Sequence, residues 1–393
     1  MELGDFTLTR GGLVYKVVRR IWPARSYQQR IGRLAIALTA IAWVPLLGFT
    51  AASGTALSGK VKVPFLFDFA SYARFLIAVP VFIIAEVIVD RLIFGALKGL
   101  ISADIISDSD APRFDDAIRG VARLRDSVLA EAILIIFAYA GSYYGITNPL
   151  FKTTSIWIES TSGRLSGLTL AGWWYFLVSI PIFQFLLYRW LWRYAIWWWF
   201  LLHLSKLDLQ LIPTHPDRVG GLNPINLAQV AFGLIILPAS AVLSAIFAAK
   251  IIYAGASALL LEATATLFVI IILIVFLGPL TAFTPCIASA RRRGLLEYGA
   301  LAASYTRSFD RKWIRGDNPE GEPLLGTQDI QALADLGTSY GVLKEMRFTL
   351  YNIQTIIIFI AFAIIPMIPL LLILSSPSQL LGAVVKLLGR LIG

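Results

Sequence analysis

The sequence predicts an all-α integral membrane protein of about seven transmembrane helices, with cytoplasmic helical extensions and interfacial amphipathic helices. Three observations carry that reading: long uncharged runs, their alternation with basic segments, and tryptophans at both ends of one run. Charges are absent over residues 34–59, 132–151, 165–188, 219–249, 263–290 and 348–385. A seventh apolar run, 75–97, is interrupted only by Glu86, Asp90 and Arg91. A hydrocarbon core about 30 Å thick needs about 20 apolar residues at a rise of about 1.5 Å each. No soluble core asks for seven such runs. The composition agrees: 58% hydrophobic residues against 15% charged, with a mean hydropathy of +0.74.

The net charge of +10 belongs to topology, and nucleic acid is not an expected partner. Of the 34 Lys and Arg residues, 26 fall up to Arg33, in 90–126, in 188–226 and in 290–347, and only 8 in the alternate segments. Such asymmetry is the positive-inside bias. It predicts a cytoplasmic N-terminus, seven crossings and an external C-terminus, in a prokaryotic cytoplasmic (inner) membrane. The expected partners are the lipid bilayer and its anionic headgroups; assembly into a homo-oligomer stays open. The single cysteine, Cys286, rules out an internal disulfide and a cysteine-based metal cluster. The first thirty residues are basic and hold no uncharged h-region, so the first span is expected to act as an uncleaved insertion signal.

Along the chain, residues 1–33 read as a basic cytoplasmic arm and 34–374 as the helical bundle. The inner-face segments are 90–126, 194–226 and 291–347, and 375–393 reads as an amphipathic C-terminal helix. Val63–Phe69 reads as an interfacial approach to span two. A cap-and-proline cluster at 107–112 opens a helix expected to run unbroken through Arg119, Arg123 and Arg125 into span three, forming with span two a hairpin that projects from the membrane. Seven of the eleven tryptophans lie in 169–207. Trp173 and Trp174 fit an outer belt; Trp190 and Trp192, with Arg189 and Arg193, fit an inner belt about 25 Å away. The leftover run Tyr194–Leu204 is expected to lie along the inner surface as a separate helix. Asn223-Pro224 reads as an N-cap followed by proline. Residues 316–326 read as a loop, and the helix opened by Thr327 and Asp329 is expected to continue into span seven. Pro80, Pro181, Pro238, Pro279, Pro366 and Pro369 are expected to break or kink their helices. No internal repeat is visible.

Two sets of residues could carry chemistry. Glu86 is an intramembrane carboxylate, near mid-membrane if span two covers 75–97 and in the inner leaflet if it starts earlier. Such groups are costly, face the bundle interior or water, and often line ion or proton paths. A structural pair with an Arg of a neighbouring helix is the plainer alternative. Glu131, one turn inside span three, is expected to pair with Arg189 or Arg193. The second set is the loop His215-Pro216-Asp217-Arg218 with Gly220 and Gly221. It could hold an anion at the start of the following helix or relay a proton; a tight connector is the plainer alternative. Its first three residues resemble the signature tripeptide of J-domain co-chaperones, but they stand between apolar segments where that family has a soluble hairpin, and the match is rejected. No metal site or cofactor is expected, and His203 reads as interfacial. No phosphate loop, HExxH helix, nucleophile elbow or carboxylate dyad is present, so no enzyme is expected. A channel or carrier for an ion or small solute is the favoured reading; a membrane scaffold or sensor binding a partner through its cytoplasmic helices is the alternative.

Overall fold

A computed structural model of the chain describes residues 6–21, 26–57, 61–147, 156–158, 167–255, 257–316 and 328–370. Among these the secondary structure is mainly helical, and an isolated antiparallel bridge joins Ile106 and Leu209. Six helices are long and apolar enough to cross a membrane: Tyr27–Ala52, Val128–Gly145, Leu170–Leu204, Asn223–Ala254, Glu262–Thr281 and Ile353–Leu370. They present Ile36, Ile136, Phe137, Ile274 and Ile365 outward, which is tolerable only where the outer solvent is lipid. The chain is a multi-pass membrane protein. The helical stretch 69–102, which carries Glu86, Asp90 and Arg91, is not among the six, yet it joins the same two ends of the bundle.

Contacts sort the connecting segments by end. At one end the Tyr253 hydroxyl donates to the Phe67 carbonyl at 3.2 Å and Trp157 Nε1 donates to Asp68 at 3.3 Å. At the other end Arg125 donates to the Thr7 carbonyl at 2.7 Å, and the Gln210 amide donates to Ile105 at 2.7 Å. There too the Arg347 amide donates to Arg218 at 2.8 Å and Arg291 donates to Lys344 at 3.0 Å. All four basic segments therefore meet at one end. The charge bias in the sequence is a bias in space.

Helix continuity differs from expectation in several places, each with a local cause. The 69–102 and Leu170–Leu204 stretches run through Pro80 and Pro181 without breaking. Each carries a π segment immediately before its proline, at Tyr72–Ala78 and Tyr175–Ser179. Proline removes an amide and crowds the carbonyl four residues back, and a wider turn accommodates both defects. Arg74 Nη1 donates to the Tyr175 hydroxyl at 2.5 Å, tying the two wide turns together. Tyr194–Leu204 is thus the continuation of span four and not a separate surface helix. Trp190 is buried rather than set in a lipid belt, Trp192 is half-buried, and Trp197 further along the helix is buried too. Trp190 donates to the Phe82 carbonyl at 2.8 Å and Trp197 to Gln229 Oε1 at 2.9 Å, so their N–H groups are satisfied inside the protein.

Conversely, the helix expected to run from 111 into span three breaks at Asp126-Ser127, between Ala111–Arg125 and Val128–Thr147. Instead of projecting, Ala111–Arg125 folds back on the end of Leu170–Leu204: Phe114 meets Phe200 edge-on at 6.3 Å, and Gly120 leaves room for the Trp199 ring. Gln328–Lys344 stops eight residues before Ile353–Ile364 and pairs instead with Thr284–Phe309 as a hairpin. Asn223 is the first helical residue rather than the cap; Leu222 occupies the cap position. Val63 and Phe65 of the expected interfacial approach are buried. Most of the expected 316–326 loop and the C-terminal helix 375–393 lie outside the described residues.

The arrangement has two layers. Tyr27–Ala52 and Val128–Thr147 start at the level of Glu86 and Arg189, whereas 69–102 and Leu170–Leu204 continue about 20 Å further. Those extensions, with Ala111–Arg125, Asn223–Ala231 and the 205–222 loop, form a packed layer at the basic end. Its core includes Phe114, Trp197, Phe200 and Phe232.

Candidate functional site

At the boundary between the two layers the structure brings together four of the residues singled out in the sequence. Glu86 Oε1 accepts from Arg193 Nη1 at 2.8 Å and from Arg189 Nη1 at 3.1 Å. Glu131 is buried beside them, close enough to act on the Arg189 charge. Because the span-two helix begins at residue 69, Glu86 lies level with the first residues of two neighbouring spans and away from the middle of the bundle. The helix carrying Glu86 thus starts earlier than residue 75.

Asp90, one turn after Glu86, extends the cluster. Its Oδ1 accepts from the amides of Leu8 and Thr9, both at 2.9 Å, and its Oδ2 accepts from the Thr9 hydroxyl. Arg10 Nε stands 3.6 Å from the same carboxylate. The N-terminal arm, expected at the membrane surface, therefore threads inward: Leu8 and Thr9 are 0% exposed. The physical reason is that Asp90 needs donors once it is buried, and an irregular segment has amides free of helical bonding to give. Arg193 closes the arrangement from the other side, donating through Nη2 to the Thr9 carbonyl at 2.6 Å.

The strap 6–11 is anchored at its far end as well. Arg125 Nη1 donates to the Thr7 carbonyl at 2.7 Å, and the Gly12 amide donates to Asp126 Oδ1 at 3.0 Å. Gly12 has φ +82°, and a Cβ there would collide with the Glu131 carboxylate. Glycine is required at this point for both reasons. Counting Arg10, the site holds three carboxylates and three guanidiniums, a balance that lets ionised groups sit out of water. A cavity of about 460 Å³ opens beside the strap, lined by residues that include Arg10, Tyr27, Asp90 and Arg91.

The second candidate, the 215–221 loop, forms a separate site at the basic end. Asp217 Oδ1 accepts from the amides of Val219 and Gly221 at 2.9 and 3.1 Å, and Oδ2 accepts from Asn223 at 3.1 Å. His215 Nδ1 lies 2.9 Å from Asp217 Oδ1. Arg218 has φ +61°, followed by Gly220 at +72° and Gly221 at +97°, so three left-handed residues wrap the chain around the aspartate. Arg347 donates to the Asp217 carbonyl at 3.1 Å, and Arg218 pairs with Glu345 at 2.7 Å on the surface. Asp217 thus organises the start of the Asn223–Ala231 helix from outside it. His203 stays exposed and holds the Trp199 carbonyl at 2.8 Å. Among the described residues no group of His, Cys, Asp and Glu is placed to hold a metal ion.

Sequence reading missed several polar residues because each looks isolated in one dimension. Thr9 and Asp90 are 81 residues apart. Gln229, fully buried, receives the Trp197 N–H and donates to the Tyr194 hydroxyl at 2.9 Å and the Phe276 carbonyl at 2.6 Å. Thr355 donates to Asn226 at 3.1 Å. The one usable signal was a polar side chain inside an apolar run, which fits Gln229 and Asn226 as well as Glu86.

No protein-family model, curated protein or solved structure matches this chain.

Proposed function

We propose that this protein is a channel or carrier for an ion or small solute, whose inner gate is the Glu86–Asp90–Arg189–Arg193 cluster closed by the strap 6–11. The single observation that supports it is the way the strap is held. Its contacts to Asp90 and Arg193 are made by two backbone amides, one hydroxyl and one carbonyl, with the half-exposed Arg10 guanidinium 3.6 Å from Asp90. Water or a polar solute can replace each of those partners, whereas the ion pairs of Glu86 stay within the helices. Withdrawal of the strap would expose two carboxylates and two guanidiniums at the basic end of the bundle without unfolding any span. The reading includes seven crossings, counting 69–102, with the basic end in the cytoplasm.

Purified protein in sealed vesicles should carry a measurable flux of at least one small ion from a panel of monovalent cations, protons and monovalent anions. Asp90→Asn keeps the shape of the side chain but weakens the hold on the strap, so it should raise that flux several-fold. Vesicles that are equally tight with wild type, with Asp90→Asn and with no protein would refute transport. Cysteines at Ser107 and Thr214 should be shielded from an impermeant thiol reagent in intact cells, and one at Thr55 should react.

A second reading is favoured by one feature of the basic end. The hairpin of Thr284–Phe309 and Gln328–Lys344 leaves Leu296, Leu301 and Ile330 exposed at 76%, 55% and 40%, outside the six apolar spans. That surface supports a scaffold or sensor docking a partner there. Leu296→Ser with Leu301→Ser should then abolish partner binding and leave ion flux unchanged.

A further inference from the structure

We propose that the cavity between the strap, the start of the Tyr27–Ala52 helix and the exposed face of the 69–102 helix binds the phosphate headgroup of an anionic phospholipid. The site stands on its own and does not depend on transport. Its volume, about 460 Å³, lies in the range of small-molecule sites, about 300–1,000 Å³. Its lining is divided: Phe6, Val87 and Phe94 are apolar, while Arg10, Ser26, Gln28 and Arg91 are polar or cationic. That division matches a molecule with a charged head on a hydrocarbon body.

Charge on the wall favours an anion. Asp90 is the one carboxylate lining it, and it is already engaged by two amides, a hydroxyl and Arg10. Arg10 lies 4.2 Å over the Tyr27 ring and is 42% exposed, so part of its donor fork still faces the opening. Arg91 is exposed and has no ion pair among the described residues. Two guanidiniums against one satisfied carboxylate leave the wall net positive. The adjoining helix end adds to this, because Ser26 caps one first-turn amide and no acidic residue stands in that turn.

Position separates a lipid from a free anion. Along one face of the 69–102 helix, Ile84 and Ile88 are 47% and 40% exposed, and one turn on the same face turns basic at Arg91 and then Lys98. An apolar stripe ending in cationic residues is the pattern of a helix leaving the hydrocarbon at headgroup depth. The cavity opens where that stripe ends, so a lipid bound there can lay its chains along Ile84 and Ile88.

The test is native mass spectrometry of the purified full chain, titrated with phosphatidylglycerol, with phosphatidylcholine and with inorganic phosphate alone. Wild type should retain phosphatidylglycerol in preference to phosphatidylcholine. Arg91→Gln should weaken phosphatidylglycerol about tenfold, the loss of one charge-assisted contact, and Arg91→Lys should keep most of it. Lys98→Gln removes an equal charge two turns away, outside the cavity lining, and should bind as wild type does. Melting temperatures of the variants within a degree or two of wild type keep the comparison valid, because Arg91 is exposed. The proposal is overturned by equal retention of both lipids, by equal losses in Arg91→Gln and Lys98→Gln, or by no loss in Arg91→Gln. It is overturned equally if inorganic phosphate binds as tightly as the lipid.

Discussion

Arg193 holds Glu86 at 2.8 Å with one guanidinium nitrogen and the Thr9 carbonyl at 2.6 Å with the other. A single side chain on the Leu170–Leu204 helix thus joins a buried carboxylate to the N-terminal strap. Because Arg189 leans on the same Glu86 oxygen at 3.1 Å, the carboxylate is the hub of the cluster. Removing it leaves two buried cations with too few anions. Glu86→Gln should therefore lower stability by about 3–5 kcal/mol, read as a fall in the melting temperature of detergent-purified protein. Replacing the triad together (Glu86→Leu, Arg189→Leu, Arg193→Met) should cost less than Glu86→Leu alone, since no guanidinium of the triad then remains unpaired. A larger loss in the triple variant would contradict the pairing.

Two glycines test the strap's anchor from opposite directions. Gly12→Ala places a side chain at φ +82° and against Glu131, and should cost about 1–2 kcal/mol. Gly95→Ala, mid-helix with open space around a Cβ, should be neutral or stabilise by about 0.5–1 kcal/mol. Melting shifts of the same sign in both would refute this reading of Gly12.

The 215–221 loop should respond unevenly to its two charges. A mere connector would lose about 1 kcal/mol from either residue. Asp217, however, accepts three amides. Asp217→Ala should cost at least about 2 kcal/mol. Arg218→Ala removes only an exposed pair with Glu345 and should cost under about 0.5 kcal/mol, and Arg218→Gly should relieve its positive φ. Chemical denaturation of the three variants gives the comparison; a mild Asp217→Ala would show that those amide bonds contribute little.

The apolar spans were readable from composition because a bilayer imposes length and polarity on each one separately. The basic end was readable for the same reason. Helix ends were harder: nothing local distinguishes Asp126-Ser127, where a helix breaks, from Arg193-Tyr194, where one continues. The difference lies in tertiary partners, with Asp126 holding Gly12 and Tyr194 packing on Phe232 and Phe276. Glu86 could be named in advance as a charge inside an apolar run, and Arg189 and Arg193 as charges at the end of another. The strap could not, since Leu8 and Thr9 have ordinary side chains and act mainly through their amides.

Acid should loosen the strap through Asp126. Its hydrogen bond from Arg125 holds the carboxyl below the usual carboxylate range. A depressed folded value means the contribution is full above the unfolded value, about 3.9, and is lost as pH falls through the folded one. The melting difference between wild type and Asp126→Asn should be constant from pH 7 to about 5 and close at pH values below about 4. A difference that widens on acidification would contradict the sign.

The most direct measurement places a cysteine at Thr9 in a Cys286→Ser background and follows its reaction with an impermeant thiol reagent at the basic face of vesicles. The account predicts slow reaction at rest, because Thr9 is fully buried, faster reaction while an ion gradient drives flux, and altered flux once the site is modified. Fast reaction at rest, or modification that leaves flux unchanged, would contradict a strap that closes the path.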